Sequence, residues 1–162
     1  MPAKYASNTE VAIDRSRQEI EKELVRFGAE GFSYGWQGAR AMIEFIYHNK
    51  RVRFLLELPA RETFNKPPPK TRGWNSRRAD ESWEQAKRQR WRSLALIVKA
   101  KLVAVTDGIK TFEHEFGLDI VLPDGQTVAE HVLPKIEESY RIGVTPQLLL
   151  PPAPTKETPS NE

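Results

Sequence analysis

Residues 79–105 read ADESWEQAKRQRWRSLALIVKAKLVAV, and the run ends just beyond, at the breaker pair Asp107-Gly108. It lies in the longest stretch of the chain that is free of both Pro and Gly, residues 74–107. Trp91, Leu94, Ala95, Val98, Leu102 and Val105 recur within it at spacings of three and four. That spacing gathers side chains on one face of an α-helix, so a long central helix from Asp80 to Asp107 is expected, with this face in the core. From Leu94 onward a second apolar set, Leu96, Ile97, Ala100, Val103 and Ala104, fills the opposite side. Its presence predicts that the C-terminal half is buried on more than one side. The N-terminal half differs: Lys87, Arg88, Arg90 and Arg92 bracket Trp83 and Trp91. At about 100° per residue Arg88, Arg92 and Lys99 share one narrow stripe, a candidate anion-binding surface.

Upstream of this helix the periodicity changes. Phe32, Tyr34 and Trp36 alternate with Ser33, Gly35 and Gln37, which reads as a strand, and Gln37-Gly38 is a turn signal. Residues 39–48 form a second strand, Asn49-Lys50 a tight turn, and residues 51–58 a third strand, giving a three-stranded antiparallel meander. In the third strand Val52, Phe54, Leu56 and Leu58 share the face expected to pack on helices. Arg51 and Arg53 lie on the other face, where with Arg40 they form either a basic patch or ordinary solubilising charge. Earlier still, residues 1–9 read as a lead-in. Residues 14–27 then form an amphipathic helix carrying Ile20, Leu24 and Phe27, stopped by Gly28.

Between the meander and the central helix, residues 59–76 hold Pro67-Pro68-Pro69, Gly73 and several basic residues, with no apolar period. A loop of this length is usually functional or disordered. Downstream, residues 111–116 read as a helical turn carrying Phe112 and Phe116, and residues 118–122 as a short strand. Pro123-Asp124-Gly125 is a turn. Thr127 with Glu130 three residues on is a capping box for a last helix to Ile142, which Pro134 should kink or split. The expected fold class is thus α+β: N-terminal helix, three-stranded antiparallel meander, long central helix, short strand and C-terminal helix. Residues 1–142 would be a single domain with a basic, Pro-rich arm at 59–78. Residues 143–162, rich in Pro and polar side chains, read as a disordered tail whose Leu148, Leu149 and Leu150 could dock.

The 162 residues carry a net charge of +3, a mild excess for a polyanion binder. Its distribution matters more: between Arg61 and Arg92 there are ten Lys or Arg against four Asp or Glu, so the basic character is concentrated in one segment. With no cysteine, disulfides, thiolate metal sites and cysteine nucleophiles are excluded. No cofactor-binding loop, nucleophile elbow or paired-His metal motif is present, so no enzyme activity and no cofactor are expected. The best metal candidate is His114 between Glu113 and Glu115, with Asp119 and His131 in range. Adjacent positions on a helical turn diverge, so the expected metal set is none. No apolar stretch is long enough to span a bilayer, which predicts a cytoplasmic protein without a membrane partner.

Four segments, YASNTEV at 5–11, FSYGW at 32–36, RQRWRSLALIVKAKLVAV at 88–105 and DIVLPDGQTV at 119–128, resemble a family of uncharacterised bacteriophage and prophage proteins. The resemblance spans nearly all of the chain before the tail. It implies a viral or prophage origin and work in the host cytoplasm, and it carries over no catalytic or binding residue. Three antiparallel strands followed by a long helix also resemble the core of single-strand annealing proteins, a likeness of fold alone. The expected function is non-enzymatic binding of single-stranded or structured DNA in replication or recombination, by Arg61, Lys66, Lys70, Arg72, Trp74, Arg77, Arg78, Arg88, Arg92 and Lys99. Cations interleaved with aromatics neutralise phosphates and stack bases. The alternative is a protein-protein interaction module, such as an inhibitor of a host defence complex.

Overall fold

The computed structural model describes residues 4–145, with side chains from residue 12 onward. The expected tail, with Leu148 to Leu150, lies outside the described residues. Helix α1 spans Lys4–Phe27, strands β1, β2 and β3 span Gly31–Gln37, Arg40–Tyr47 and Lys50–Glu57, and a 3-10 turn follows at Arg61–Phe64. Helix α2 is Ser76–Thr106, α3 is Phe112–Phe116, a second 3-10 turn is Gly117–Asp119, and α4 is Val128–Ile142. The fold is α+β, as the alternation of periods implies.

The sheet is a meander in the order β1-β2-β3, antiparallel throughout. Its second turn is His48-Asn49 rather than Asn49-Lys50: both residues hold positive φ, 46° and 59°. Two successive left-handed residues make the type I′ turn whose twist matches that of the flanking strands. Register follows from pattern, because Ala41, Ile43, Phe45, Val52 and Phe54 must all face one way to leave water. That face is covered by α1 through Ile20 and Leu24, by α2 through Trp91, Leu94, Ala95, Val98 and Leu102, and by α3 through Phe112 and Phe116. Phe116 stands edge-on to Phe45 and Phe54, with ring centroids 5.7 and 6.2 Å away. Tyr47 joins Phe27 and Phe112 at 4.6 and 4.8 Å. Fully burying side chains of this size contributes about 1.5–3 kcal/mol each.

Several expectations are corrected. Helix α1 begins at Lys4, ten residues before Asp14: nothing between them is Pro or Gly, and the run Ser7-Asn8-Thr9, which resembles a cap, continues the helix instead. Helix α2 begins at Ser76, where Asn75 accepts a hydrogen bond from the Arg78 N–H, so Arg77 and Arg78 belong to the helix and not to the arm. The second apolar set on α2 is not buried: Leu96, Ile97 and Val103 are 56%, 50% and 46% exposed, and Ala100 is exposed as well. The sheet, α1 and α3 pack on the opposite side of α2, and no described element covers this one.

Residues 118–122 form no strand. The chain makes the 3-10 turn and then two isolated bridges, Ile120 to Val52 and Val121 to Thr127. Only the Val121 N–H, donating to the Arg51 carbonyl at 2.7 Å, ties it to the edge of β3. Pro134 does not split α4, which runs through it as one element. Proline there forfeits one intrahelical bond, while the Thr127–Glu130 capping box and left-handed Gly143 fix the two ends.

Candidate nucleic-acid interface

The arm between β3 and α2 is folded back on the start of α2 by its own polar groups. The Trp83 indole donates to the Pro59 carbonyl at 2.7 Å, and the Trp74 indole donates to the Phe64 carbonyl at 3.1 Å. Arg61 donates to Asp80 at 2.5 Å, to the Asn65 side chain at 2.8 Å and to the Ser76 carbonyl at 3.3 Å. Arg78 reaches back to the Arg72 carbonyl at 2.7 Å. The two tryptophans are half-buried pins whose N–H groups are satisfied, as buried indoles require.

These bonds divide the ten expected site residues. Arg61 is consumed by the arm's own fold, and Trp74 anchors it. Arg77 pairs with Glu81 at 3.0 Å, and Lys99 with Glu23 at 3.6 Å. Arg88 is half-buried. Lys66, Lys70, Arg72 and Arg92 are exposed, and no described carboxylate lies within 4.0 Å of them; the same holds for Arg90, which the stripe argument left out. Lys87 is different again: it bonds Glu84 at 2.8 Å and sits 3.9 Å over the Trp83 ring. Five cations therefore face solvent unneutralised, three on the arm and two on α2.

Trp91, one of the aromatics that bracketed the basic run, is 1% exposed and belongs to the core. Trp36 is the exposed tryptophan among the described residues, with 72% of its surface in water. It stands beside Tyr34, ring centroids 5.7 Å apart, and Tyr34 in turn meets Trp91 at 5.4 Å and carries the Arg17 guanidinium at 4.2 Å. Trp36 is one pleat further along the edge strand β1, about 7 Å, opposite the buried Ala41 of β2. Gln37 pairs with Arg40 and Arg40 with Glu57, so Trp36 is at the end of the sheet where β3 hands the chain to the arm. The alternation of β1 groups Trp36 with Phe32 and Tyr34 on one side of the strand, and of these three Trp36 alone is exposed.

The outer face of the sheet is not a basic patch. Arg40 donates to Glu57 at 3.0 Å, and Arg53 to Glu44 at 2.7 Å and to the Gly125 carbonyl at 2.9 Å. Arg51 is 3.9 Å from Glu44. Each of the three has a cross-strand carboxylate partner, but Arg51 and Arg53 share Glu44, so the two carboxylates offset all but one of the three charges. The histidines also have separate partners: the His114 ring meets the Thr111 hydroxyl at 3.2 Å, and the His131 ring meets Asp124 at 2.6 Å. No group of three His, Asp or Glu side chains able to hold a metal ion forms among the described residues. No described helix is long and apolar enough to cross a membrane.

Comparison with protein-family models, curated proteins and solved structures gave no match.

Proposed function

We propose that this chain is a non-enzymatic protein that binds single-stranded or structured DNA, in the replication or recombination of a phage or prophage genome. One observation carries the reading: Lys66, Lys70, Arg72, Arg90 and Arg92 project from one arm and the adjoining half of one helix without a carboxylate to neutralise them. Surface cations with no structural duty raise self-repulsion, and a polyanion relieves it. The contacts are to phosphate. Trp36 supplies one stacking platform at the end of the sheet nearest the arm, whereas Trp74 and Trp83 hold the arm and do not stack.

Fluorescence anisotropy of a labelled single-stranded oligonucleotide, titrated at a series of salt concentrations, tests this. Five phosphate contacts should give a slope of log affinity against log salt of about −3.5 on a single strand. Replacing the five cations by Gln should leave the thermal melt unchanged and nearly abolish binding, and Trp36→Ala should weaken binding by about 1–3 kcal/mol without altering the slope. Wild-type protein that fails to bind at low salt would overturn the reading. The second reading, docking on a host or phage protein such as a defence complex, draws on the apolar face of α4. There Leu133 and Tyr140 are exposed beside an open groove of about 450 Å³ lined by Ile136, Ser139, Gly143 and Val144.

A further inference from the structure

Along the outer face of α2, Leu96, Ile97, Ala100 and Val103 stay in water, and no described element covers them. At about 100° per residue this strip is centred on Ala100 and stands opposite Trp91, Val98 and Leu102 in the core. The lysines beside it are already neutralised: Lys99 by Glu23 at 3.6 Å, and Lys101 by Asp119 and Glu115 at 3.3 and 3.4 Å. Charge without a partner remains only near the ends. Arg92 precedes Leu96 by one turn, Asp107 follows Val103 by one turn, and neither has an oppositely charged side chain within 4.0 Å among the described residues.

The strip is nearly palindromic. Reversing the helix about Ala100 exchanges Ser93 with Asp107, Leu96 with Ala104 and Ile97 with Val103, so it puts apolar on apolar and brings Asp107 of one copy beside Arg92 of the other. We propose that two copies of this chain pair through the outer face of α2, antiparallel about a two-fold axis at Ala100. The same patch on both subunits is what a two-fold interface requires. A parallel pairing would instead set Arg92 against Arg92. Ser93, Ala100 and Ala104 are small, which lets the axes approach toward the short end of the 8–10 Å range. The strip is about 21 Å long and about 10 Å wide, well short of the ~800 Å² per partner of a standard stable interface, so the pairing is weak and concentration-dependent. The inference goes beyond the nucleic-acid reading and does not depend on it. Arg92 is common to both, while Lys66, Lys70, Arg72 and Arg90 stay free in each copy.

Sedimentation velocity of the full chain without nucleic acid, from about 1 to about 500 µM, tests the pairing. A reversible monomer-dimer equilibrium is expected. Leu96→Glu and the milder Val103→Ser should weaken it, the first by at least about thirtyfold, with circular dichroism melts unchanged at concentrations where the chain is monomeric because both positions are exposed. Arg92→Glu and Asp107→Arg should each weaken it about tenfold, since each breaks two symmetric contacts, and the double variant should return to within about threefold of wild type. A monomer at every concentration, a dimer that survives Leu96→Glu, or a charge swap that fails to rescue would overturn the proposal.

Discussion

Leu102 and Leu96 sit six residues apart on one helix and have opposite surroundings. Leu102 is 4% exposed, inside the cluster that joins α1, the sheet and α3, whereas Leu96 points to water. Truncating a leucine in a packed core removes its transfer free energy and leaves a cavity, so Leu102→Ala should cost about 2–5 kcal/mol in a denaturant titration. Leu96→Ala should change stability by no more than about 0.5 kcal/mol at concentrations where the chain is monomeric. Spacing alone finds the face of Leu102, because it repeats with the helix and coincides with the apolar face of β3. It cannot distinguish a second buried face from an exposed one, since both are written with the same residue types. Trp36 and Trp91 show the same limit: an indole beside arginines reads alike whether the next layer of the fold covers it or not.

Helix α2 and helix α4 are both amphipathic and both capped, yet they differ in what holds them. Five of the apolar residues of α2 lie in the main core, while α4 has only Val132 buried and borders mainly the 3-10 turn at Gly117–Asp119. Helices take most of their stability from tertiary packing, so local opening should be cheapest in α4. Hydrogen exchange should therefore be fastest for the α4 amides beyond Pro134 and slowest for those of α2 between Trp91 and Leu102. In α4 the cap carries unusual weight: the Thr127 N–H donates to Glu130 at 2.6 Å and the Glu130 N–H donates to Thr127 at 3.3 Å. Thr127→Ala should cost about 1 kcal/mol and raise exchange through α4 selectively. The capping box, the meander and the central helix were all legible because each is encoded within a few residues. The arm was legible only as basic and proline-rich. Its shape depends on Arg61, Trp74 and Trp83 finding carbonyls and a carboxylate 10 to 24 positions away, and no local pattern specifies such pairings.

At the scale of the whole molecule the acid side of the stability curve follows from a row of carboxylates. Hydrogen bonds from Lys110 and Lys101 hold Glu115 below its ordinary pKa, and the bond from Lys50 does the same for Glu113. Asp124 is lowered by the Gln126 N–H and His131, and Glu130 by the N–H and hydroxyl of Thr127. A carboxyl whose pKa is lower folded than unfolded stabilises the fold above its unfolded value, and that contribution disappears as pH falls through the folded value. Asp119 runs the other way: burial raises it and the Lys101 ammonium only partly offsets this, so its contribution is greatest in acid and is lost as pH rises. With Glu138, lowered by its bond from Arg141, five carboxyls are lowered and one is raised, so stability should be level near neutrality and fall progressively below about pH 5. Urea titrations across that range check the sign. Glu115→Gln should flatten the acid limb and lower stability at pH 7. Asp119→Asn, which mimics the protonated acid, should raise stability at pH 7 and leave it unchanged in acid, because burying the amide avoids desolvating a charge while Glu115 still pairs with Lys101.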